Sequence, residues 1–483
     1  MKTIFSRFKF RERSIQYLAV FGINMGMFSV GSHSGWPSSS LPILTSENST
    51  IHLTTQEGSL LVSITPLTVP FGCAVTTILM KLVGRKTLLL FLPIPLTASW
   101  LFIAMATSKI HLYIGRVLGG FTDAAIFNVG PAYLSEIADP EVRGFFGTSQ
   151  TVSFGLGISL FNVFVTFMSS EAVAYLLAAL TLIMYITIPL VPESPYYCLL
   201  KGNTEEAALS LRKLRSKQDI QEDLDRISKS ILEHGDDKGK VTDMLTKKHF
   251  RRCLWTILIL SFTQHLSGNY AIQAYYETIF ENSETMSPRV ANCVYYVVFS
   301  IASIVSPLLV DISGRKPLLL LSTGLTALTL FAIGIFMYFK SSLNLDTRFE
   351  YVQLLLFLLQ AIAFSAGLHT IPWLVASEIF PSNLVGTALS IANSIYSVSM
   401  PATVFMFEKT YYSIGVYVPF FLYGIFCVIG MVLIPIFLVE TKGKSLEEIQ
   451  REIRRTKPKT EQNLNLQVND MFKKSPLDYI PSH

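Results

Sequence analysis

Charged residues recur in the same order in the two halves of this 483-residue sequence, each time beside a long apolar stretch. Arginine or lysine and glutamate side chains form charge-assisted hydrogen bonds, which can hold the ends of neighbouring helices together or release them. The paired segments are Gly84-Arg85-Lys86 with Gly314-Arg315-Lys316, Ser135-Glu136-Ile137 with Ser377-Glu378-Ile379, and Pro192-Glu193-Ser194 with Val439-Glu440-Thr441. Three matches in register indicate an internal duplication.

The apolar stretches between these motifs are long enough to cross a bilayer. Half of the residues are hydrophobic, 15% are charged and the mean hydropathy is +0.44, whereas about a quarter of the residues of a soluble domain are charged. Runs such as 87–106 and 416–439 reach the roughly 20 residues that span about 30 Å of hydrocarbon. Because an unpaired peptide group in lipid costs several kcal/mol, these runs must be helices. The sequence predicts an all-α polytopic membrane protein.

Twelve spans are predicted, six on each side of one long polar segment. They cover 14–36, 58–80, 87–106, 110–135, 144–168, 171–191, 252–281, 288–310, 316–339, 351–376, 384–407 and 415–439. The predicted domains are an N-terminal segment (1–13), a six-helix bundle (14–191), a helical loop (192–251), a second bundle (252–439) and a tail (440–483). The basic residues before the first span could belong to a signal peptide. Since the apolar stretch is too long for one, we expect a retained helix.

Basic residues set the orientation. They concentrate in the N-terminal segment, the 192–251 loop and the tail from Lys442, whereas the opposite loops, such as 37–57, are nearly free of them. The positive-inside rule therefore places both termini and the long loop in the cytoplasm. The sequon Asn48-Ser49-Thr50 then falls outside, which predicts glycosylation of Asn48. The net charge of +5 reflects this topology, so we expect a lipid bilayer and no nucleic acid as partner.

Other function classes find little support. The five cysteines are odd in number and scattered, so they match neither a disulfide framework nor a metal site. There is no phosphate-binding loop, nucleophile motif or metal spacing, and we therefore expect no enzyme activity and no cofactor. In the cytoplasmic segments, Thr204 is predicted to cap a helix, and Ser445 with Glu448 to form a capping box.

The duplication predicts two related bundles with a substrate site between them near mid-membrane. We expect the doubled charges to pair across the seam between the bundles, to close the inner mouth in the outward-facing state and to separate when it opens. The alternative is that they are ordinary snorkelling anchors and topology signals. The predicted gating residues are Arg85, Lys86, Glu136, Arg143, Glu193, Asp311, Arg315, Lys316, Glu378 and Glu440.

The chain resembles the sugar porters of the major facilitator superfamily over about residues 14–455, particularly the insect facilitated trehalose transporters and more distantly the facilitative glucose transporters. The matching motifs are Gly115-Arg116-Val117-Leu118-Gly119-Gly120, Pro131–Ile137 with Arg143-Gly144, Pro192-Glu193-Ser194-Pro195, Gln264 with Leu266-Ser267-Gly268, Tyr275-Tyr276, Ile371-Pro372-Trp373 and Glu440-Thr441-Lys442-Gly443. The resemblance implies two six-helix bundles and transport of a sugar such as trehalose or a hexose by alternating access.

The resemblance also implies a substrate site. A sugar needs amide or hydroxyl partners and an aromatic platform, and Gln150, Gln264 and Trp373 fall at sugar-contacting positions. Simple helix packing or a helix–helix hydrogen bond is the alternative for each. The remaining predicted substrate-binding positions depart from the family pattern or are less specific, and they are His265, Tyr270, Asn24 and Tyr396.

Several family positions are altered. Lys81 stands where the first gating motif has an acid, and Val385 where the second half has an arginine, which predicts fewer inner-gate pairs than in the family. Before Ile371, Gly367-Leu368-His369-Thr370 replaces a Gly-Pro element, which should stiffen or reshape a broken helix.

Energy coupling follows from the first spans. Proton-coupled relatives carry an acid in the first span, paired with the fourth-span arginine, whereas this chain has Asn24 with Arg116 available. No other acid is expected at this depth in spans 1–5, which favours a uniporter. Separately, we expect the protein to be a monomer. His265 and His369 are the titratable exceptions. The alternatives are a proton-coupled symporter, a non-transporting sugar sensor on a transporter fold, or a carrier of another polar solute.

Overall fold

The computed structural model describes residues 13–47, 49–139, 142–215, 220–225, 227–228, 246–281, 286–343, 349–380 and 382–442, with the isolated positions 244, 444, 449 and 452–453. All regular structure in these ranges is helical. The sequon residue Asn48 and the proposed tail capping box lie outside them, as do the side chains of Arg143, Asp311 and Val385.

Within the described ranges the helices form twelve spans, as the sequence predicts. Spans 1–6, the N half, are Ser14–Thr45, Thr55–Val83, Arg85–Phe91 continued by Pro93–Ala104, Lys109–Ile137, Arg143–Phe167, and Ser170–Thr187. Spans 7–12, the C half, are Lys248–Leu266 continued by Asn269–Ala274 and Tyr276–Ile279, Pro288–Ser313, Arg315–Leu343, Glu350–Ala363 continued by Phe364–Leu368 and Ile371–Glu378, Ser382–Ser413, and Val418–Phe437. Inner and outer below refer to the predicted orientation.

Eight of these helices are long and apolar enough by themselves to cross a membrane, and spans 1, 4, 7 and 11 are not among them. Those four carry polar residues along their length because each contributes to the interior between the halves. Across the seam, span 2 packs against span 11, and span 5 packs against span 8.

In the C half, spans 7 and 10 are interrupted. Span 7 breaks at Gly268, which has a left-handed φ of 73°. Span 10 loosens into a π-helical segment, Phe364–Leu368, before it resumes at Ile371. The break in span 10 is therefore kept although the Gly-Pro element is missing, because side chains of neighbouring spans satisfy its backbone. Ser322 Oγ accepts from Leu368 N at 2.9 Å and donates to Ala363 O at 2.6 Å.

Two predicted boundaries are wrong. Span 1 does not end at residue 36 but continues through Pro37 and Pro42 to Thr45. Thr204 is the first residue of the loop helix Thr204–Arg215, and the capping residue is the one before it. Asn203 Oδ1 accepts from Glu206 N at 3.2 Å. This helix rests on the N half, where Gln16 Nε2 donates to Leu214 O at 3.0 Å.

The doubled charge motifs form the same cluster at the inner end of each half. In the N-half charge cluster, Glu193 accepts from the backbone N–H groups of Arg85 and Lys86 at 3.2 and 3.0 Å, and Arg85 Nη2 donates to Glu136 at 2.9 Å. The Ser194 hydroxyl donates to the second oxygen of Glu136. Glu193 thus satisfies backbone N–H groups that the start of span 3 leaves open, and Glu136 holds the Arg85 side chain.

The C-half charge cluster repeats this arrangement. Glu440 accepts from Arg315 N at 3.0 Å and Lys316 N at 2.8 Å, and Arg315 Nη2 donates to Glu378 at 2.9 Å. Thr441 takes the place of Ser194 and donates to Glu378 at 2.5 Å. Burial raises the pKa of Glu440, but the backbone N–H donors outweigh it and hold the pKa below its usual value. The charge motifs that are repeated in the sequence therefore make equivalent hydrogen bonds in both halves.

Gly84→Ala should destabilise the protein more than Gly202→Ala. Both glycines have positive φ, 95° and 77°, which costs an alanine about 1–3 kcal/mol. A Cβ on Gly84 would also lie 2.5 Å from Glu193 Oε2, whereas a Cβ on Gly202 would meet nothing within 4 Å. Thermal unfolding in detergent measures the difference, and equal losses from the two variants would contradict the described cluster.

Candidate functional site

A small cavity lies between the halves, midway along the spans. Five spans contribute polar or aromatic side chains to it, namely His33 and Ser34 of span 1, Thr65 of span 2, Arg116, Asp123 and Phe127 of span 4, Tyr270 of span 7 and Tyr396 of span 11. Hydroxyl groups and aromatic faces thus come from both halves.

Four of the predicted substrate-binding residues lie in or beside this cavity. Tyr270 and Tyr396 line it. Trp373 stacks on Phe127 of the opposite half, with ring centroids 6.2 Å apart and an interplanar angle of 6°, and meets Tyr396 edge-on at 5.8 Å. His265 packs edge-on against Tyr396 at 4.6 Å. Phe127, His265, Trp373 and Tyr396 thus form one aromatic cluster, in which Phe127 is the member that the sequence reading missed.

The predicted amides occupy different surroundings. Gln264 Nε2 donates to the His369 carbonyl at 2.8 Å, at the break in span 10. Gln150 has only a long contact of 3.5 Å to Phe146 O, and its Oε1 has no hydrogen-bond partner among the described residues. Asn24 donates to Ser149 Oγ at 3.0 Å and so joins spans 1 and 5. The three amides are not among the residues that line the cavity, and Asn24 does not pair with Arg116.

The expectation that spans 1–5 hold no further acid is wrong. Asp123 of span 4 lies in the cavity wall, only 4% exposed, and its Oδ1 is 2.8 Å from His33 Nδ1. Arg116 stands seven residues earlier on the same helix, and this spacing puts both side chains on one face. The seven-residue spacing from Arg116 could have identified Asp123 from the sequence. Nothing in the sequence, however, pairs Asp123 with a histidine of span 1. The cavity is therefore not largely uncharged.

Proline explains why a guanidinium is buried here. Pro37 lacks the N–H group that would bond the His33 carbonyl one turn earlier in span 1. Arg116 Nη1 donates to that carbonyl at 2.6 Å, and its guanidinium carbon lies 5.2 Å from the centre of the Trp36 ring. Arg116 Nε and Nη2 have no hydrogen-bond partner among the described residues. Arg116 thus supplies the hydrogen bond that Pro37 cannot give to the His33 carbonyl, and its Nε and Nη2 groups remain as buried donors.

Buried hydrogen bonds join the two halves near the outer end of the cavity. Asn292 Nδ2 of span 8 lies 2.9 Å from Glu277 Oε1, 3.1 Å from Asn162 Oδ1 and 3.3 Å from Ser39 Oγ, and its two hydrogens serve two of these acceptors at a time. Asn292 Oδ1 accepts from Ser38 Oγ at 3.1 Å. Nearby, Ser59 Oγ and Tyr275 Oη are 2.6 Å apart. The outer ends of the halves are held together by these contacts.

In this structure, whose outer ends are held together, the described inner charges pair within each half; pairing across the seam in the outward-facing state stays a prediction. Arg85 pairs with Glu136 inside the N half, and Arg315 with Glu378 inside the C half. Lys86 Nζ and Lys316 Nζ likewise donate to carbonyls of their own half, Pro189 O at 3.2 Å and Pro435 O at 2.9 Å. The reason is geometric, since each arginine begins a span whose neighbours in the same bundle carry both acids. Their part in gating remains a prediction.

Asn292→Leu should shift the protein toward states that are open on the outer side. The change removes hydrogen bonds worth about 0.5–1.5 kcal/mol each, so the ratio of states should change about tenfold. Spin–spin distances between labels at positions 55 and 290 report the outer separation. Asn128→Leu is the matched control, because Asn128 bonds Cys73 O and Thr77 Oγ1 within the N half. An unchanged distance distribution in Asn292→Leu would contradict the closure described above.

Comparison with known proteins agrees with this architecture. A family model described as "Sugar (and other) transporter" matches residues 19–453. The facilitated trehalose transporter Tret1 of Apis mellifera ligustica is 32% identical over 453 residues, which are 92% of this chain and 90% of the relative. Tret1 of Culex quinquefasciatus is 33% identical over 444 residues, 91% of this chain and 86% of the relative.

Solved structures show the same fold at lower identity. The major facilitator superfamily proton:xylose symporter XylE bound to 6-bromo-6-deoxy-D-glucose superposes with a TM-score of 0.75 at 20% identity, covering 91% of this chain and 99% of the symporter. The inward-open xylose transporter XylE from E. coli gives 0.73 at 19% identity, with 90% and 99% covered. The protein is thus a multi-pass transporter with the major facilitator fold and not an enzyme, and it belongs to the sugar (and other) transporter family.

Proposed function

We propose that this protein carries a neutral saccharide, such as trehalose or a hexose, across the plasma membrane by alternating access. The observation that supports this most directly is the cavity between the halves, which combines hydroxyl groups with aromatic faces. Sugars present hydroxyls around an apolar ring, so such a wall can match both. The proposed topology has both termini in the cytoplasm, and the proposed working unit is a monomer.

The aromatic cluster is proposed as the sugar platform. Trp373 and Phe127 belong to opposite halves and stack face to face, so a ring bound beside them would be held by both bundles. Tyr270 and Tyr396 would offer hydroxyls from the C half. Gln264 would contribute indirectly, by holding the His369 carbonyl in place beside the cavity. Gln150 would accept a hydrogen bond from the sugar at its unbonded Oε1 when the cavity extends toward it on opening.

The two charge clusters are proposed to keep the inner ends of each bundle rigid while the bundles rock. Their pairs lie inside one half, so opening of the inner mouth need not break them. The contacts that must break when the outer side opens are the hydrogen bonds around Asn292. Because few such bonds join the halves, the free-energy difference between states can stay within a few kcal/mol.

Trp373→Ala should lower uptake about tenfold, because loss of an aromatic platform removes on the order of 1–2 kcal/mol of sugar binding. Trp255→Ala makes the same chemical change at a side chain that is 56% exposed on the outside of the bundles. Uptake of labelled trehalose into proteoliposomes measures both variants, and competition by monosaccharides, disaccharides and polyols ranks the substrates. Equal uptake by the two variants would show that the aromatic cluster is not part of the sugar-binding site.

Transport should proceed without a proton gradient. The relatives are named facilitated transporters, and we propose the same equilibrative mechanism here. Labelled sugar should equilibrate across liposomes at the same rate with and without a protonophore. Uptake that stops with the protonophore would favour the symporter alternative, and saturable binding without flux would favour the sensor.

A further inference from the structure

The Tyr270 side chain reaches from the C half to the N half at the cavity. Its hydroxyl donates to the Val62 carbonyl of span 2 at 3.3 Å. Span 7 breaks at Gly268, and Tyr270 belongs to the segment that begins directly after this break. The side chain lines the cavity and is 6% exposed. This buried hydrogen bond therefore joins the two halves inside the proposed transport path.

The Val62 carbonyl needs this donor because of a proline. In a regular helix it would accept from the N–H group four residues later, but that residue is Pro66, which has no N–H. Val62 is buried, and a buried carbonyl without a donor is unfavourable. Tyr270 thus supplies to span 2 the bond that Arg116 supplies to span 1, but it does so from the opposite half. Opening of the outer side separates spans 2 and 7 and breaks this bond.

A saccharide hydroxyl can replace the tyrosine hydroxyl at this position. Each has one hydrogen to donate and lone pairs to accept. Pro66 and Arg116 line the same cavity as Tyr270, and Arg116 Nε and Nη2 have no hydrogen-bond partner among the described residues. A sugar hydroxyl placed here would donate to the Val62 carbonyl and accept from Arg116. The halves could then close around the sugar without the tyrosine bond.

We propose that the Tyr270 hydroxyl takes the place of a saccharide hydroxyl when the outer side closes without sugar. When the loaded protein closes, the sugar supplies the donor to the Val62 carbonyl, and the released Tyr270 hydroxyl can bond the sugar. When the protein closes without sugar, Tyr270 supplies the donor, and the outer seam forms from groups of the chain alone. This inference rests on the proposed function and adds to it a residue that serves the return of the unloaded transporter.

Efflux from cells separates the two ways of closing. Cells that express the protein are injected with labelled trehalose or labelled glucose, and the release of label is followed in two media. In a sugar-free medium the protein must close its outer side unloaded, whereas in a medium with the same unlabelled sugar it can close loaded. The ratio of the efflux rate with outer sugar to the rate without it therefore reports closure without sugar, and it does not depend on the amount of protein.

Tyr270→Phe should raise this ratio by at least about threefold, because it keeps the ring and removes the hydroxyl that donates to the buried Val62 carbonyl. Tyr270→Met, which also lacks a donor, is the second variant if Tyr270→Phe does not fold. Tyr423→Phe is the matched control. The Tyr423 hydroxyl is also buried and donates to a backbone carbonyl, that of Thr403 at 2.9 Å, but both residues belong to the C half. This control should keep the wild-type ratio.

Pro66→Ala tests the physical cause separately. The substitution returns an N–H group to span 2, so the Val62 carbonyl can be bonded within its own helix and no longer needs Tyr270. Adding Tyr270→Phe to Pro66→Ala should therefore leave the efflux ratio of Pro66→Ala unchanged.

Tyr270→Phe with the wild-type ratio, or with the same rise in the Pro66→Ala background, would overturn this inference alone. Loss of efflux in both media from Tyr270→Phe would also overturn it, because the hydroxyl would then be needed for transport of the loaded protein. A wild-type protein that releases neither labelled sugar in either medium would instead overturn the proposed function.

Discussion

Every backbone carbonyl that a broken helix leaves open must find a donor inside the protein, because lipid supplies none. This constraint accounts for the polar side chains that the interior contains. Arg116 donates to the His33 carbonyl freed by Pro37, and Gln264 donates to the His369 carbonyl at the break in span 10. Irregular helices and buried polar residues therefore occur together, because each open carbonyl takes a buried side-chain donor.

The two halves share their outer construction and differ inside. Their charge clusters match bond for bond, with Glu193 and Glu440 at the starts of spans 3 and 9 and a hydroxyl from Ser194 or Thr441 on the second acid. The cavity shows no such symmetry. The N half presents a charged group of His33, Arg116 and Asp123, whereas the C half presents tyrosines. Duplication thus preserved the groups that shape each bundle, and the groups that face the solute diverged.

The placement of contacts fits a protein that moves as two bodies. The strong charge pairs are internal to a half, where they stiffen it. The contacts between the halves described above are hydrogen bonds of amide and hydroxyl groups and the stacking of Trp373 on Phe127. Neutral hydrogen bonds contribute little net free energy when water can replace them. The seam can therefore open and close without a large barrier from broken ion pairs.

The sequence alone determined the membrane class, the twelve spans and the internal duplication, because length, hydropathy and repeated charge motifs are local properties. It also predicted Trp373 as a substrate contact through the family motif, and Tyr270 and Tyr396 as substrate positions that depart from the family pattern. Only the tertiary structure decided which charges meet. Arg85 and Arg315 pair within their own bundles and not across the seam, since each acid lies on a neighbouring span of the same half. Asp123 escaped notice because its partner His33 is 90 residues away, and no spacing rule connects two positions that only helix packing brings together.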